Sequence, residues 1–143
     1  MSFTGNALAI LIAAVGAWIF GAAYYGALGK HWVAAQGRTM DEFRQEQAAK
    51  IGNITAMLPF LLSFVGALIM AWTINGILIH IGIHTVRAGM ISGAFCWFGF
   101  VLTTMAVNNA YQGRSWRLTA IDAGHWLGAL LIIGGIVGGV GTR

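Results

Sequence analysis

The chain has 143 residues, 58% of them hydrophobic and only 8% charged, against roughly 25% charged in an ordinary soluble domain. Eight basic and four acidic side chains cannot cover the surface of a water-soluble globule of this size, so the surface must face something other than water. The net charge of +4 lies in segments that flank apolar runs, which fits anionic lipid headgroups better than nucleic acid, so no nucleic-acid partner is expected.

Residues 1–29 contain no Asp, Glu, Lys or Arg; neither do 51–86 or 88–113, and 118–142 contain only Asp122. A helix crosses the hydrocarbon core with roughly 20 apolar residues at 1.5 Å per residue. Each run is long enough to cross once and too short to cross twice with a turn. The pattern therefore predicts an all-α, integral membrane four-helix bundle forming one domain over 1–143. Its helices are expected at about 5–29, 54–81, 85–110 and 118–140, with both termini on one side.

Taken in chain order, the first run has no basic residue in Met1–Asn6, and its apolar stretch, Ala7 to Leu28, is too long for the core of a signal peptide. It is expected to be a retained first span. Seven of the twelve charges then fall between Lys30 and Lys50. Within that loop Thr39-Met40-Asp41-Glu42 fits a capping box, and Glu46 and Lys50 form an i,i+4 pair, so a short helix is expected from about residue 40. Gly52-Asn53 marks a break before the second span. Pro59 should kink that span by freeing the carbonyl of Thr55.

Single Cys96, in the third run, excludes an intrachain disulfide. Orientation follows from the basic residues of the short loops. Lys30, Arg38, Arg44 and Lys50 in the first loop and Arg114 and Arg117 in the third stand against Arg87 and Arg143 on the other side. That bias predicts the first and third connections in the cytoplasm and both termini outside. Tyr24, Tyr25, Trp32, Tyr111 and Trp116 sit at the proposed cytoplasmic boundary, where amphipathic rings prefer to lie. Ala23-Tyr24-Tyr25-Gly26 before Lys30-His31-Trp32 is echoed by Ala110-Tyr111-Gln112-Gly113 before Arg114-Ser115-Trp116. Two readings of that echo stand: a tandem repeat of two helical hairpins, or the shared taste of cytoplasmic helix ends for such residues.

Small residues four apart let helix backbones approach closely in lipid. Gly89 and Gly93, Gly124 and Gly128, Gly134 and Gly138, and Gly135 and Gly139 have that spacing. The third and fourth helices are expected to meet through the Gly89/Gly93 and Gly124/Gly128 faces.

Asp122 is the one acid inside a span, with His125 on the same helix face. A carboxylate there costs on the order of 2.5–3.5 kcal/mol unless it finds a partner. Asn108, Asn109, Thr104, Arg114 and Arg117 approach its depth from the third helix and its following turn, and Tyr24, Tyr25 and Lys30 from the first. The candidate polar site is therefore Asp122, His125, Asn108, Arg114, Arg117 and Tyr25. It is either a cytoplasm-facing site for a proton, ion or headgroup, or a structural clasp in which Asp122 pairs with Arg114, Arg117 or Lys30. His80 and His84 have metal-ligand spacing but no nearby carboxylate or cysteine to complete a site, so no metal is expected. A haem held by two histidines is excluded because His125 and His80 lie toward opposite leaflets, while a single-ligand pigment or haem at His125 or His80 stays an alternative to no cofactor.

The run Tyr25-Gly26 with Lys30 and Trp32, the stretch from Gly99 through Thr103-Thr104-Met105 to Asn108, then Gly113-Arg114, Ile121-Asp122-Ala123-Gly124 and the glycine-rich ending resemble a bacterial membrane family, domain-of-unknown-function family 1761. The resemblance covers nearly the whole chain. It implies a small four-span protein of the bacterial cytoplasmic membrane and no particular activity. No Walker loop, Gly-x-Ser-x-Gly or cysteine pair occurs, so an enzyme is not expected. The expected function is that of a non-enzymatic membrane protein working through helix packing, as a homo-oligomer or as an accessory subunit of a larger membrane complex. The alternative is a small oligomeric transporter or channel built on the Asp/His/Asn cluster.

Overall fold

The computed structural model describes residues 3–141, with side chains from residue 6 onward. Arg143, one of the two basic residues assigned to the outer side, lies outside the described residues. The described chain contains helices α1 (Phe3–Ala35), α2 (Met40–Ala49), α3 (Leu58–Ile81), α4 (Val86–Cys96), α5 (Thr103–Tyr111) and α6 (Trp116–Val140). A 3-10 turn, Ile54–Ala56, precedes α3, and a π-helical segment, Trp97–Leu102, joins α4 to α5 without a break. Among the described residues four stretches are long and apolar enough to cross a membrane: Asn6–Ala35, Ile54–Ile81, Val86–Tyr111 and Trp116–Val140. The protein is a multi-pass membrane helical bundle.

Helix α1 runs six residues past 29, the end that its first charge predicts. Lys30 is exposed, and a long side chain can carry its ammonium to the headgroups while the backbone stays helical. With 33 residues the helix is ~50 Å long, well over the hydrocarbon thickness. It stops at Gly37, whose φ of 72° is the left-handed conformation that closes a helix. The Arg38 amide there reaches back to the Val33 carbonyl.

In α2 the capping box is complete. The Glu42 amide donates to Thr39 Oγ1 at 3.2 Å and the Thr39 amide to Glu42 Oε2 at 2.9 Å. Glu46 receives both Lys50, at 3.1 Å, and Arg38. No residue of α2 is buried, so its ends rather than its packing define it. Gly52 (φ 84°) turns the chain, and Asn53 Oδ1 accepts from the Thr55 amide at 3.0 Å. The expected kink at Pro59 is absent. Helix α3 is capped at Met57 and Pro59 falls in its first turn, where the missing N–H has no intrahelical partner to lose and the fixed φ suits the helix.

Helix α6 is the centre of the bundle. It packs on α1 along one side and α4 along the other, while α3 closes against α1, α6 and α4. The core is made of Ala13, Ala14 and Ala17 from α1, Ala67, Ala71, Ile74 and Leu78 from α3, and Ala129, Leu130, Ile133 and Val137 from α6. Alanines on α1 bring its backbone close to the larger side chains of its neighbours, which is how helices gain contact in lipid. The Trp18 indole donates to Ser63 Oγ at 3.1 Å and ties α1 to α3.

The α4–α6 contact is backbone to backbone. Gly89 lies against the Gly134 carbonyl and Gly134 against the Gly89 carbonyl, with Gly93 on the Leu130 carbonyl and Gly138 on the Thr85 carbonyl. The face expected to serve on α6 was Gly124/Gly128, and that expectation is corrected. The two helices run antiparallel, so the start of α4 meets the far end of α6. Gly124 and Gly128 instead face α1, against the rings of Tyr24 and Phe20.

Gly134→Leu should therefore lower stability by ~1–3 kcal/mol or more, because a side chain there meets backbone that cannot turn aside. Gly66→Leu and Gly76→Leu, at positions with open space around them, should leave the thermal unfolding midpoint in detergent unchanged. Equal midpoints for all three variants would refute the contact.

Candidate functional site

A cluster of polar and aromatic side chains forms where the later turns of α1 cross the first turns of α6, while the buried Asn6 and Asn75 lie elsewhere, at the start of α1 and on α3. Phe20 and Tyr24, and Gly21 and Tyr25, are four apart, and Trp32 follows Tyr25 by seven, so all five share the side of α1 turned to α6. From it the Tyr25 hydroxyl donates to Asp122 Oδ1 at 2.7 Å and the Trp32 indole N–H donates to the same oxygen at 3.0 Å. One residue away the Tyr24 hydroxyl donates to the Ile121 carbonyl at 2.8 Å. Asp122 is thus held by two neutral donors from α1. Each hydrogen bond to a charged group contributes on the order of 1.5–3 kcal/mol, comparable with the cost of placing the carboxylate in the membrane.

His125, 9% exposed, fills an aromatic cage beside that carboxylate. Phe20 stacks parallel to it at 6.1 Å between centroids; Tyr25 lies at 4.9 Å, Trp126 at 4.7 Å and Tyr24 at 5.7 Å. Its Nε2 abuts Gly21, where even a methyl group would come within 2.8 Å. Its Nδ1 is buried with no hydrogen-bond partner among the described residues. The cage continues through Tyr25 and Trp32 to Phe43 of α2, with centroids 5.6 and 6.1 Å apart.

Of the six residues expected at the site, the structure brings together Asp122, His125 and Tyr25. Arg114, Arg117 and Asn108 stand elsewhere. Among the described residues the ion pairs are those of Glu46 with Arg38 and Lys50, so the clasp of Asp122 by Arg114, Arg117 or Lys30 is corrected to one made by Tyr25 and Trp32. Geometry explains the miss. Five residues separate Arg117 from Asp122, which places them about 140° apart around the helix and ~7.5 Å apart along it. Arg114 lies in the turn before α6 and its Nε donates to Gln112 Oε1 at 2.8 Å. Asn108 is exposed on α5; its neighbour Asn109 makes the interhelix bond instead, to Thr119 Oγ1 at 3.0 Å. Helix-end electrostatics do not hold Asp122 either. Ser115 caps α6, so Asp122 lies beyond the first turn, where the helix dipole has faded.

Trp32 is the partner that sequence reading missed, together with Phe20 as a wall of the cage. The signal was the seven-residue spacing from Tyr25, hidden because the helix was taken to end at 29. His80 and His84 are divided by Gly82, left-handed at φ 71°, and so do not share a helix face. Among the described residues no group of three His, Cys, Asp or Glu side chains could hold a metal. At His125 the Nε2 atom is closed off by Gly21 and one face of the imidazole by the stacked Phe20 ring.

Removing one donor should be felt in stability. Tyr25→Phe and Trp32→Phe are each expected to cost ~1–3 kcal/mol, and each should be strongly non-additive with Asp122→Asn in a double-mutant cycle. Arg114→Gln and Arg117→Gln should leave the unfolding midpoint in place. Additive losses in the cycle would remove the carboxylate as the common acceptor.

No curated protein and no solved structure matches the chain. A family model described as "Protein of unknown function (DUF1761)" matches residues 8–138, a single stretch that takes in the donors on α1, the carboxylate and imidazole on α6, and the glycine face between α4 and α6. This four-span membrane chain belongs to the DUF1761 family.

Proposed function

We propose that the protein is a non-enzymatic component of the bacterial cytoplasmic membrane that works through helix contacts, as a homo-oligomer or as an accessory subunit of a larger complex. The observation that carries this reading is the closure of the polar cluster by the chain's own side chains. Asp122 is taken up by Tyr25 and Trp32, and His125 is walled by Phe20, Tyr24, Tyr25 and Trp126. Two clefts open at the ends of the spans, one lined within 34–38 and 113–118, the other within 43–60. Neither reaches Asp122 or His125. The third span offers the larger free surface: 6% of its most apolar stretch is buried within the chain, against 39% for α6.

A second reading, a small oligomeric transporter or channel, is favoured by one observation: the Nδ1 of His125 lacks a partner among the described residues one helical turn from a carboxylate. Asn108, exposed on α5, would join such a site only across a boundary between copies.

Native mass measurement of gently extracted protein separates the two. Contact function predicts a discrete multiple of the chain, or a fixed assembly with a second membrane protein, unaltered by Asp122→Asn. A pH-dependent flux into vesicles that Asp122→Asn abolishes, with assembly intact, would replace it with transport. The proposed orientation, termini outside and the Lys30–Lys50 loop in the cytoplasm, predicts that Gln47→Cys in a Cys96→Ala background escapes an impermeant thiol reagent in intact cells and reacts after permeabilisation. Equal reaction before and after would invert the topology.

A further inference from the structure

Away from the Asp122 cluster, the turn between α5 and α6 and the end of α1 enclose a cleft of ≈ 610 Å³. Its polar lining is Gln36, Arg38, Arg114, Ser115 and Arg117, with no acidic residue. The frame is fixed on both sides. Gly37 and Gly113 take left-handed turns at φ 72° and 65°, and the Ser115 hydroxyl donates across to the Ala35 carbonyl at 2.6 Å while accepting from the Leu118 amide at 3.2 Å.

The three guanidiniums are not equivalent. Arg38 is neutralised by Glu46 and lies over the Phe43 ring, 5.5 Å from its centroid. Arg114 spends its Nε on Gln112, which leaves its two terminal amino groups. Arg117 is exposed and has no ion pair or hydrogen bond among the described residues. Two positive charges therefore face one framed cleft without a counter-charge.

Depth identifies the counter-charge. The cleft lies where the first span ends, at Ala35, and the fourth begins, at Trp116. Tyr111 and Trp116, 91% and 69% exposed, stand beside it as rings do at the headgroup level. An anion resident at that level is the phosphodiester of a phospholipid, and a guanidinium fork matches its oxygens two at a time. We propose that this cleft holds the phosphate of an anionic phospholipid between Arg114 and Arg117, with Arg38 as a fixed wall. The loop charges then do more than bias orientation: two of them bind one lipid at a defined place.

The test is native mass spectrometry of the full chain titrated with phosphatidylglycerol and with phosphatidylcholine in mixed micelles. The wild type should retain phosphatidylglycerol in preference, and the preference should fall about fivefold for each arginine removed in Arg114→Gln/Arg117→Gln. Arg44→Gln/Lys50→Gln, with the same change in net charge, should keep it. Equal retention of the two lipids by wild type, or equal losses in the two double variants, would overturn the site in favour of diffuse surface attraction. Displacement of the lipid by millimolar inorganic phosphate would overturn the lipid assignment and leave a free-phosphate site. Should the double variant lose its helical circular dichroism, Arg117→Gln alone decides, because that side chain is bonded to nothing it could disrupt: a fivefold fall supports the proposal and no change overturns it.

Discussion

In hydrocarbon two helices gain nothing by hiding leucine from lipid, since the lipid is as apolar as the leucine. What holds them is close backbone approach and the satisfaction of polar groups. Helix α6 is touched in both ways at once. Along one edge Gly134 and Gly138 let α4 come down onto its backbone. Along the other, Asp122 draws two donors out of α1. The first contact works by having no side chain, the second by having one that cannot be left alone. The position of α6 at the centre of the bundle follows from carrying both.

The two contacts also explain how unlike the hairpins are, despite the similar motifs at their helix ends. In the first, Tyr25 and Trp32 turn inward and close on Asp122. In the second, Tyr111 and Trp116 stand exposed at the membrane boundary. Helix α1 continues straight through its copy of the pattern, whereas the third span stops at Gly113. Similar residues thus do inward work in one place and surface work in the other, and the difference is set by whether the helix runs on.

Span number, the short capped helix α2 and the role of Gly89 and Gly93 were legible in the sequence, because each depends on length or on residues close in the chain. The failures share a cause. Which α6 glycines face α4 depends on how the antiparallel pair is offset, and spacing within one helix cannot report an offset between two. The absence of a kink at Pro59 depends on where the helix starts, a matter of a few residues. Asp122 was legible as a residue in need of a partner. One of its partners, Tyr25, was legible too; the other, Trp32, was not, since charge pointed to arginine and the apolar run pointed to a helix ending at 29, before Trp32.

The π-helical segment has a consequence for the third span as a whole. In an unbroken α-helix Gly93 and Asn109, sixteen residues apart, would point about 160° away from each other. A π turn takes up about one extra residue, which turns everything after it back by about 100° and reduces the angle to about 60°. The single span can then set Gly93 on the Leu130 carbonyl and Asn109 on Thr119, two places on the same neighbour. Trp97, at the head of the segment, pins the joint by donating to the Ala123 carbonyl at 2.8 Å. The segment behaves as a rotary coupling, and its length in residues, more than their identity, keeps both ends of the hairpin engaged.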